Sequence, residues 1–176
     1  MKEKIEFSVQ MTAGEIFRFM MYHMYHQFSG IFGIFLSLLS LLLLLVSFDS
    51  LTAQSKVILV FIAAWFTIVF PIILFSRSKG QAKRNKANQK PLNYRLDQAG
   101  ITVSQDEAEQ TIAWENLMKI VETKSQFLVY SSRIHAFVFP KKAIGQECDA
   151  VRELLVRYTE GTGIRFKGAV KRRKAD

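Results

Sequence analysis

The chain has 176 residues, of which 49% are hydrophobic, with a formal net charge of +9 and a single cysteine, Cys148. One cysteine excludes an intramolecular disulfide, and with no histidine near it in sequence we interpret Cys148 as a packed residue. The run from Arg77 to Lys90 holds six cations and no acid, and residues 165–176 add a net +5, so the remainder of the chain sums to −2. Charge placed in two short segments argues against nucleic-acid binding, which uses the face of a folded domain.

The first predicted elements are a strand and a helix. Ile5, Phe7 and Val9 alternate with polar residues, which is the pattern of a half-buried strand. One strand is not stable alone in water, so we expect it to pair with a sheet beyond residue 90. Thr12 followed by Glu15 predicts a capping box that opens a helix. This helix carries a narrow polar stripe, and we expect it at the membrane–water boundary rather than in a cytosolic core.

Two apolar stretches follow, residues 31–48 and 57–75, separated by eight mostly polar residues. At about 1.5 Å per residue the first spans roughly 27 Å, close to the thickness of a bilayer core. A chain of this length could not bury two helices that are apolar all round, so the stretches predict a transmembrane hairpin over residues 30–76. Small residues let helices approach closely. We expect Ser40 to be level with Ala64 and Trp65. The small residues expected to pack together are Gly33, Ser37 and Ser40 on the first helix and Ala63, Ala64 and Thr67 on the second.

The cations after the second stretch predict the orientation. Positive residues close to a membrane end favour the cytoplasmic side, so we expect a multi-pass protein of the inner or plasma membrane with both termini in the cytoplasm. We also expect the basic linker 77–90 and the basic tail 161–176 to attract anionic lipid. The residues predicted to contact headgroups are Arg77, Lys79, Lys83, Arg84, Lys86, Lys90, Lys171, Arg172, Arg173 and Lys174.

Residues 91–160 predict a small antiparallel β domain. Strands are expected over 93–97 and 101–104, joined by a turn in which Gly100 supplies a positive φ. Further strands are expected over 110–114, 117–123, 127–130 and 136–139, followed by a helix over 147–158 with one apolar face. The fold class is therefore membrane α+β, a helical hairpin with an antiparallel β domain capped by a C-terminal helix.

The order of these segments resembles the YcxB-like family of bacterial membrane proteins. The segments that carry the resemblance are Tyr94-Arg-Leu-Asp97, Gly100-Ile-Thr-Val103, Trp114-Glu-Asn-Leu117, Lys119-Ile-Val-Glu-Thr-Lys124, Phe127-Leu-Val-Tyr130, Ala136-Phe-Val-Phe-Pro-Lys141 and Arg152-Glu-Leu-Leu155. The N-terminal strand, the capped helix (both within residues 1–29) and the two spans fit that layout too. The resemblance implies architecture and no catalytic residues. At the level of fold alone, strands capped by a helix also loosely resemble bacterial pleckstrin-homology-like domains.

No enzyme motif, metal-ligand pattern or cofactor motif stands out. His23 and His26 share a helix face, but no third ligand keeps register with them. We therefore expect a membrane-anchored cytosolic binding module without catalysis, metal or cofactor. The alternative is an accessory subunit or small transporter whose hairpin assembles with itself or with a larger membrane protein. We expect Trp114 to anchor the sheet core rather than a binding groove, and Lys124, Arg133, Lys141 and Lys142 to be loop cations unless they meet on one rim.

Overall fold

The computed structural model describes residues 3–84, 90–133, 135–160 and 163–168. The chain divides into two compact units. Residues 1–11 and 86–176 form one, which we call the β unit, and residues 12–85 form the other, which we call the helical unit.

The first sheet of the β unit combines the N-terminal strand with three later ones. Its order is β1 (Ile5–Val9), β2 (Leu92–Asp97), β3 (Gly100–Gln105) and β4 (Ala108–Ile112), and every pair is antiparallel. The expected pairing of β1 beyond residue 90 is confirmed, because Ile5 lies opposite Leu96 and Val9 opposite Leu92. The apolar side chains of β1 complete the core of this unit.

The turn between β2 and β3 needs glycine for two reasons. Gly100 has φ +137°, which confirms the predicted positive φ. A Cβ at this position would also lie only 2.1 Å from the carbonyl oxygen of Ile112. The backbone N–H of Ala99 donates to the Asp97 carboxylate at 2.9 Å and closes the turn.

The second sheet contains a parallel pair that the sequence patterns did not predict. Its order is β7 (Ala136–Pro140), β6 (Gln126–Tyr130), β5 (Lys119–Glu122) and β8 (Arg165–Lys167). The pairs β5–β6 and β6–β7 are antiparallel, whereas β8 runs parallel to β5. The basic tail expected over residues 161–176 thus contains a strand at residues 165–167, whose Phe166 packs against the core.

Trp114 lies in a 3₁₀ turn, Trp114–Asn116, and not in the strand predicted over 110–114. Its indole stacks on the Tyr158 ring with centroids 4.9 Å apart, and its Nε1–H donates to the Asp97 carbonyl at 2.9 Å. The side chain is 5% exposed, so the interpretation of Trp114 as a core anchor is confirmed. Two helices complete the unit, α5 (Lys141–Ile144) and α6 (Cys148–Thr159), and α6 buries Val151, Leu154 and Leu155.

The helical unit begins with α1 (Ala13–Tyr25). Its predicted capping box is confirmed, since Thr12 and Glu15 bond each other's backbone reciprocally. Next come α2 (Phe28–Val46) and a continuous helix, Ala53–Arg84, built from α3 (Ala53–Ala64), a π-helical turn (Trp65–Val69) and α4 (Phe70–Arg84). By length and composition, α2 and Ala53–Arg84 are both capable of crossing a membrane.

The π-helical turn has a local cause in Pro71. Within this turn the N–H of Phe70 bonds the carbonyl of Trp65, five residues back. The next N–H in that register would come from Pro71 and bond Phe66, but proline has no N–H. The hydroxyl of Tyr25 donates to the Phe66 carbonyl instead, at 3.3 Å. A side chain of α1 thus satisfies the backbone group that Pro71 leaves open.

The same hydroxyl fixes how α1 lies on the long helix. Tyr25 meets Phe66, while Phe17, two turns earlier on α1, packs edge-on against Phe75 at 5.6 Å. The two helices are therefore antiparallel. Ile16 on α1 and Leu74 on α4 are both buried.

Candidate functional site

The basic residues after the apolar stretch lie on two faces of α4. Arg77 and Arg84 are seven residues apart and share one face, whereas Lys79 and Lys83 share another on nearly the opposite side. All four are exposed, and the Lys79 ammonium sits 4.5 Å from the centre of the Phe75 ring. Lys86 and the tail residues Lys171, Arg172, Arg173 and Lys174 lie outside the described residues.

Lys90, another predicted headgroup contact, lies in the β unit. Its ammonium forms an ion pair at 2.7 Å with Asp106, which lies in the turn between β3 and β4. Lys90 is exposed, but its charge is already matched by a carboxylate of the β unit.

The small residues of α2 face the long helix. Gly33, Ser37 and Ser40 are buried, and the Ser37 hydroxyl donates to the Ala63 carbonyl at 3.1 Å. A Cβ at Gly33 would lie 2.4 Å from the Phe66 ring. The register differs from the predicted one. The Ser37 hydroxyl lies 3.1 Å from the Ala63 carbonyl oxygen and 3.4 Å from that of Ile62. Ser37, rather than Ser40, is therefore level with this part of the long helix.

A lateral groove of about 590 Å³ opens between these helices. Ser37, Ala63, Ala64 and Thr67, all predicted as packing residues, contribute to its wall, and the rest of the lining is mostly aliphatic. The small side chains therefore leave unfilled space beside the helix contact. A groove of this kind suits an apolar chain or another helix.

A second groove, of about 470 Å³, lies between α1 and the long helix. Its lining is mostly apolar, with Phe19, Met20, Phe70 and Leu74 among its residues and Arg77 and His23 as charged or titratable members. His23 Nε2 is hydrogen bonded to the side chain of Gln27 at 2.5 Å. In the part of the chain that the structure describes, no group of three or more metal-ligating side chains occurs.

The β unit contains a network of ion pairs around the buried carboxylate of Glu122, at the end of β5. Its carboxylate is 7% exposed and accepts from Lys141 Nζ at 2.6 Å and from Arg152 Nε and Nη2 at 2.9 and 2.6 Å. Burial works to raise the pKa of Glu122, but the hydrogen bonds and charges of Arg152 and Lys141 outweigh it and hold the pKa below its ordinary value. Arg152 also pairs with Asp149. The network joins β5, α5 and α6, so its chemistry is that of a structural clasp.

Cys148 lies beside this clasp. Its thiol donates to the Lys141 carbonyl at 3.3 Å, and burial raises the pKa of the thiol. A thiol whose pKa is raised holds little thiolate at neutral pH, which agrees with the interpretation of Cys148 as a packed residue.

The four loop cations do not meet on one rim. In β6 and β7, Gln126 lies opposite Pro140 at one end and Tyr130 lies opposite Ala136 at the other. Lys124 and Lys142 therefore belong to the end near Gln126, and Arg133 belongs to the end near Tyr130. The fourth cation, Lys141, is bound to Glu122.

Three other cations do come together, on β5 and β8. Lys119 lies opposite Arg165, and Val121 lies opposite Lys167. Because residues two apart on a strand point to the same side, Lys119, Arg165 and Lys167 share one face of the sheet. We call these three residues the β5–β8 cluster. Sequence reasoning missed it because residues 165–176 read as a uniform basic tail, although the apolar Phe166 between two cations carries the period-two signal of a strand.

Comparison with known proteins finds a family for part of the β unit. Residues 96–155 match the family model described as YcxB-like protein, which confirms the predicted resemblance over this stretch. The chain is 21% identical over 116 residues to the uncharacterized protein YcxB of Bacillus subtilis (strain 168). That alignment spans 65% of this chain and 63% of the length of the relative. No solved structure gives a significant match.

Proposed function

We propose that this chain, whose residues 96–155 form a YcxB-like domain, is a membrane-anchored binding module. In this proposal α2 and Ala53–Arg84 cross the bilayer as a hairpin, and the β unit binds its partner in the cytoplasm without catalysing a reaction.

The observation that carries the proposal is the apolar surface of the helical unit. Leu42 and Leu45 on α2 are 57% and 71% exposed, and Val57 on α3 is 69% exposed. They belong to a set of large exposed apolar side chains that covers α2 and residues 57–75 of the long helix. A patch of this extent is costly in water and is favourable in hydrocarbon.

The pairing of β1 with β2 supports a hairpin. These strands flank the helical unit in sequence, and neighbouring strands lie about 4.8 Å apart. In this proposal residues before α1 and residues after α4 lie on the same side of the membrane, so the chain crosses it an even number of times. The exposed cations Arg77, Lys79, Lys83 and Arg84 at the end of the long helix support a cytoplasmic location for that side and contact with anionic headgroups.

The strand order supports a binding role for the β unit. Four antiparallel strands, then three antiparallel strands of a second sheet, then a helix form the succession that gives the loose likeness to pleckstrin-homology-like domains. This argument is an analogy of fold and names no ligand. In the described residues the buried carboxylate, Glu122, is neutralised by Lys141 and Arg152 and is not poised for acid–base chemistry.

Cysteine accessibility in intact cells tests the topology. Cys148→Ala removes the native thiol, and single cysteines replace Ala53, Ser8 or Glu107, all exposed positions. A membrane-impermeant maleimide should label the cysteine at 53 and should label those at 8 and 107 only after the cells are opened. The Cys148→Ala parent without a new cysteine is the control. Labelling at 8 or 107 in intact cells, or release of the protein by alkaline washing of membranes, would refute the anchored hairpin.

The groove between α2 and α3 favours a second candidate, an accessory subunit that assembles with itself or with another membrane protein. Its volume of about 590 Å³ and its small residues would accept a further helix. A photo-crosslinking residue at Leu38, which lines the groove, tests this in native membranes. The matched control is Leu42, which is similarly exposed but is outside the groove lining. A defined adduct from position 38 alone would favour assembly, and equal lipid-only labelling at both positions would exclude it.

A further inference from the structure

We propose that the β5–β8 cluster, Lys119, Arg165 and Lys167, binds a phosphomonoester group carried by a lipid headgroup. The inference rests on the proposed function for the source of the phosphate, since membrane anchoring is what brings lipid headgroups to the β unit. The phosphate site itself stands on the geometry of the cluster.

The sheet register places the three charges close together. Lys119 and Arg165 are opposite each other on adjacent strands, and Lys167 lies two residues along β8 on the same face. With strands about 4.8 Å apart and a rise of about 3.3 Å per residue, the three Cα atoms fit within roughly 9 Å. The apolar partners Ile120 and Phe166 point to the other face and pack in the core. The core thus holds the backbone that presents the cations.

The charges of the cluster have no counterpart in the folded part of the chain that is described. There, no carboxylate lies within ion-pair distance of Lys119, Arg165 or Lys167, whereas Lys90, Lys141 and Arg152 each have one. Like charges on neighbouring strands repel and destabilise a sheet. An anion bound among them would neutralise that repulsion, so the cluster favours anion binding.

The unfavourable electrostatics of the cluster are clearest at Lys119. Its pKa is lowered, first by partial burial and then by the positive charge of Lys167. Its ammonium lies 5.2 Å from the centre of the Tyr130 ring, whose face orients it and offsets part of the unfavourable burial. Arg165 adds a planar fork that binds two phosphate oxygens at once.

The size of the cluster selects the class of anion. A phosphomonoester carries a charge of about −1.5 to −2 on one compact group at neutral pH, which matches a site of three cations within one strand pair. A nucleic acid carries one charge on each phosphate and is bound along an extended positive track, often with exposed aromatic platforms. Tyr130 is buried and offers no such platform.

The test uses the full chain in neutral detergent micelles. The probe is short-chain phosphatidic acid, a phosphomonoester lipid, with bound lipid measured by native mass spectrometry. The test variant combines Lys119→Gln, Arg165→Gln and Lys167→Gln. The matched control combines Lys124→Gln, Arg133→Gln and Lys142→Gln, which changes the net charge of the same unit equally at exposed positions. Near-ultraviolet circular dichroism checks that both variants stay folded, and the single variant Lys167→Gln replaces the triple variant if that one does not.

We expect the test variant to lose phosphatidic acid binding by about tenfold or more and the control to keep affinity within about twofold, because direct charge-assisted hydrogen bonds are lost only in the first. Short-chain phosphatidylglycerol, a phosphodiester, should bind the wild type more weakly. Inorganic phosphate should compete only weakly; competition at equal affinity would support the phosphate site and identify a soluble anion as its source.

Equal losses in the test and control variants would overturn the inference, because attraction would then depend on net charge alone. Tighter binding of a single-stranded oligonucleotide through the same three residues would overturn it in favour of a nucleic-acid site. Failure of phosphate binding in a chain that still resists alkaline extraction from membranes would refute the site and leave the proposed anchoring standing.

Discussion

Replacement of Tyr25 by phenylalanine isolates the hydrogen bond that satisfies the π-helical turn. The substitution keeps the ring and removes only the hydroxyl, so the Phe66 carbonyl loses its donor. The oxygen–oxygen distance of 3.3 Å is long for a hydroxyl donor, whose usual distance is about 2.7–2.8 Å. We therefore place the cost near the middle of the range for intramolecular hydrogen bonds, about 1 kcal/mol.

The cost should depend on Pro71. In Pro71→Ala the new N–H at position 71 donates to Phe66 if the π register persists. If the helix becomes regular, the N–H of Phe70 donates to Phe66 instead. In both of these registers the Tyr25 hydroxyl is no longer needed, and Tyr25→Phe in that background should cost close to zero. If the new N–H bonds the Thr67 carbonyl instead, four residues back, the cost of Tyr25→Phe persists. The expected coupling energy between the two positions is consequently about 1 kcal/mol.

Unfolding of the purified chain in mixed micelles of neutral detergent and dodecyl sulfate measures these free energies. Tyr22→Phe is the matched control, since its hydroxyl makes no hydrogen bond to any residue that the structure describes. Equal costs for Tyr22→Phe and Tyr25→Phe would refute the account of the Phe66 carbonyl. A cost for Tyr25→Phe that persists unchanged in Pro71→Ala would show that Pro71 is not the cause of the open carbonyl.

Three further substitutions test other parts of the fold. Gly100→Ala should lower the unfolding free energy of the β unit by about 2 kcal/mol or more, measured by chemical denaturation, because its Cβ meets the Ile112 carbonyl and its φ is unfavourable. Glu122→Gln should cost about 3 kcal/mol at neutral pH. Because the folded pKa of Glu122 is lowered, its stabilisation is complete above the unfolded value of about 4.3 and is lost as pH falls through the folded pKa, so the variant should lose less stability on acidification than the wild type. Gly33→Ile should lower thermal stability in detergent by the equivalent of about 2 kcal/mol through its clash with the Phe66 ring, and an unchanged melting temperature would place the helix contact elsewhere.

Local patterns predicted the elements that depend on neighbouring residues. The alternation of Ile5, Phe7 and Val9 identified β1, and the Thr12–Glu15 spacing identified the start of α1. Both signals arise within a few residues, from the period of a strand and from the geometry of a helix cap. The turn glycine, Gly100, was predictable for the same reason.

The features that the sequence patterns missed depend on contacts between distant residues. The parallel pairing of β8 follows from Phe166 reaching the core, and the Glu122 clasp requires residues from β5, α5 and α6 to meet. Trp114 was assigned to a strand because aromatic residues favour strands, whereas its hydrogen bond to the Asp97 carbonyl and its stacking on Tyr158 stabilise a 3₁₀ turn. Pro71 inside an apolar helix was a usable signal for the π-helical turn, although its partner Tyr25 was not.

The pairing of β1 with β2 also delays the folding of β1 during synthesis. Ile5 leaves the ribosome 91 residues before its partner Leu96, and at about 5–20 residues per second this interval lasts roughly 5–20 s. During that time the strand has no edge to join, and the whole helical unit is produced in between. Its partner β2 is the first strand of this sheet to follow the helical unit, so β1 can pair only after the whole helical unit has been synthesised. The charged neighbours Lys4 and Glu6 oppose aggregation of the unpaired β1 segment until β2 has been synthesised.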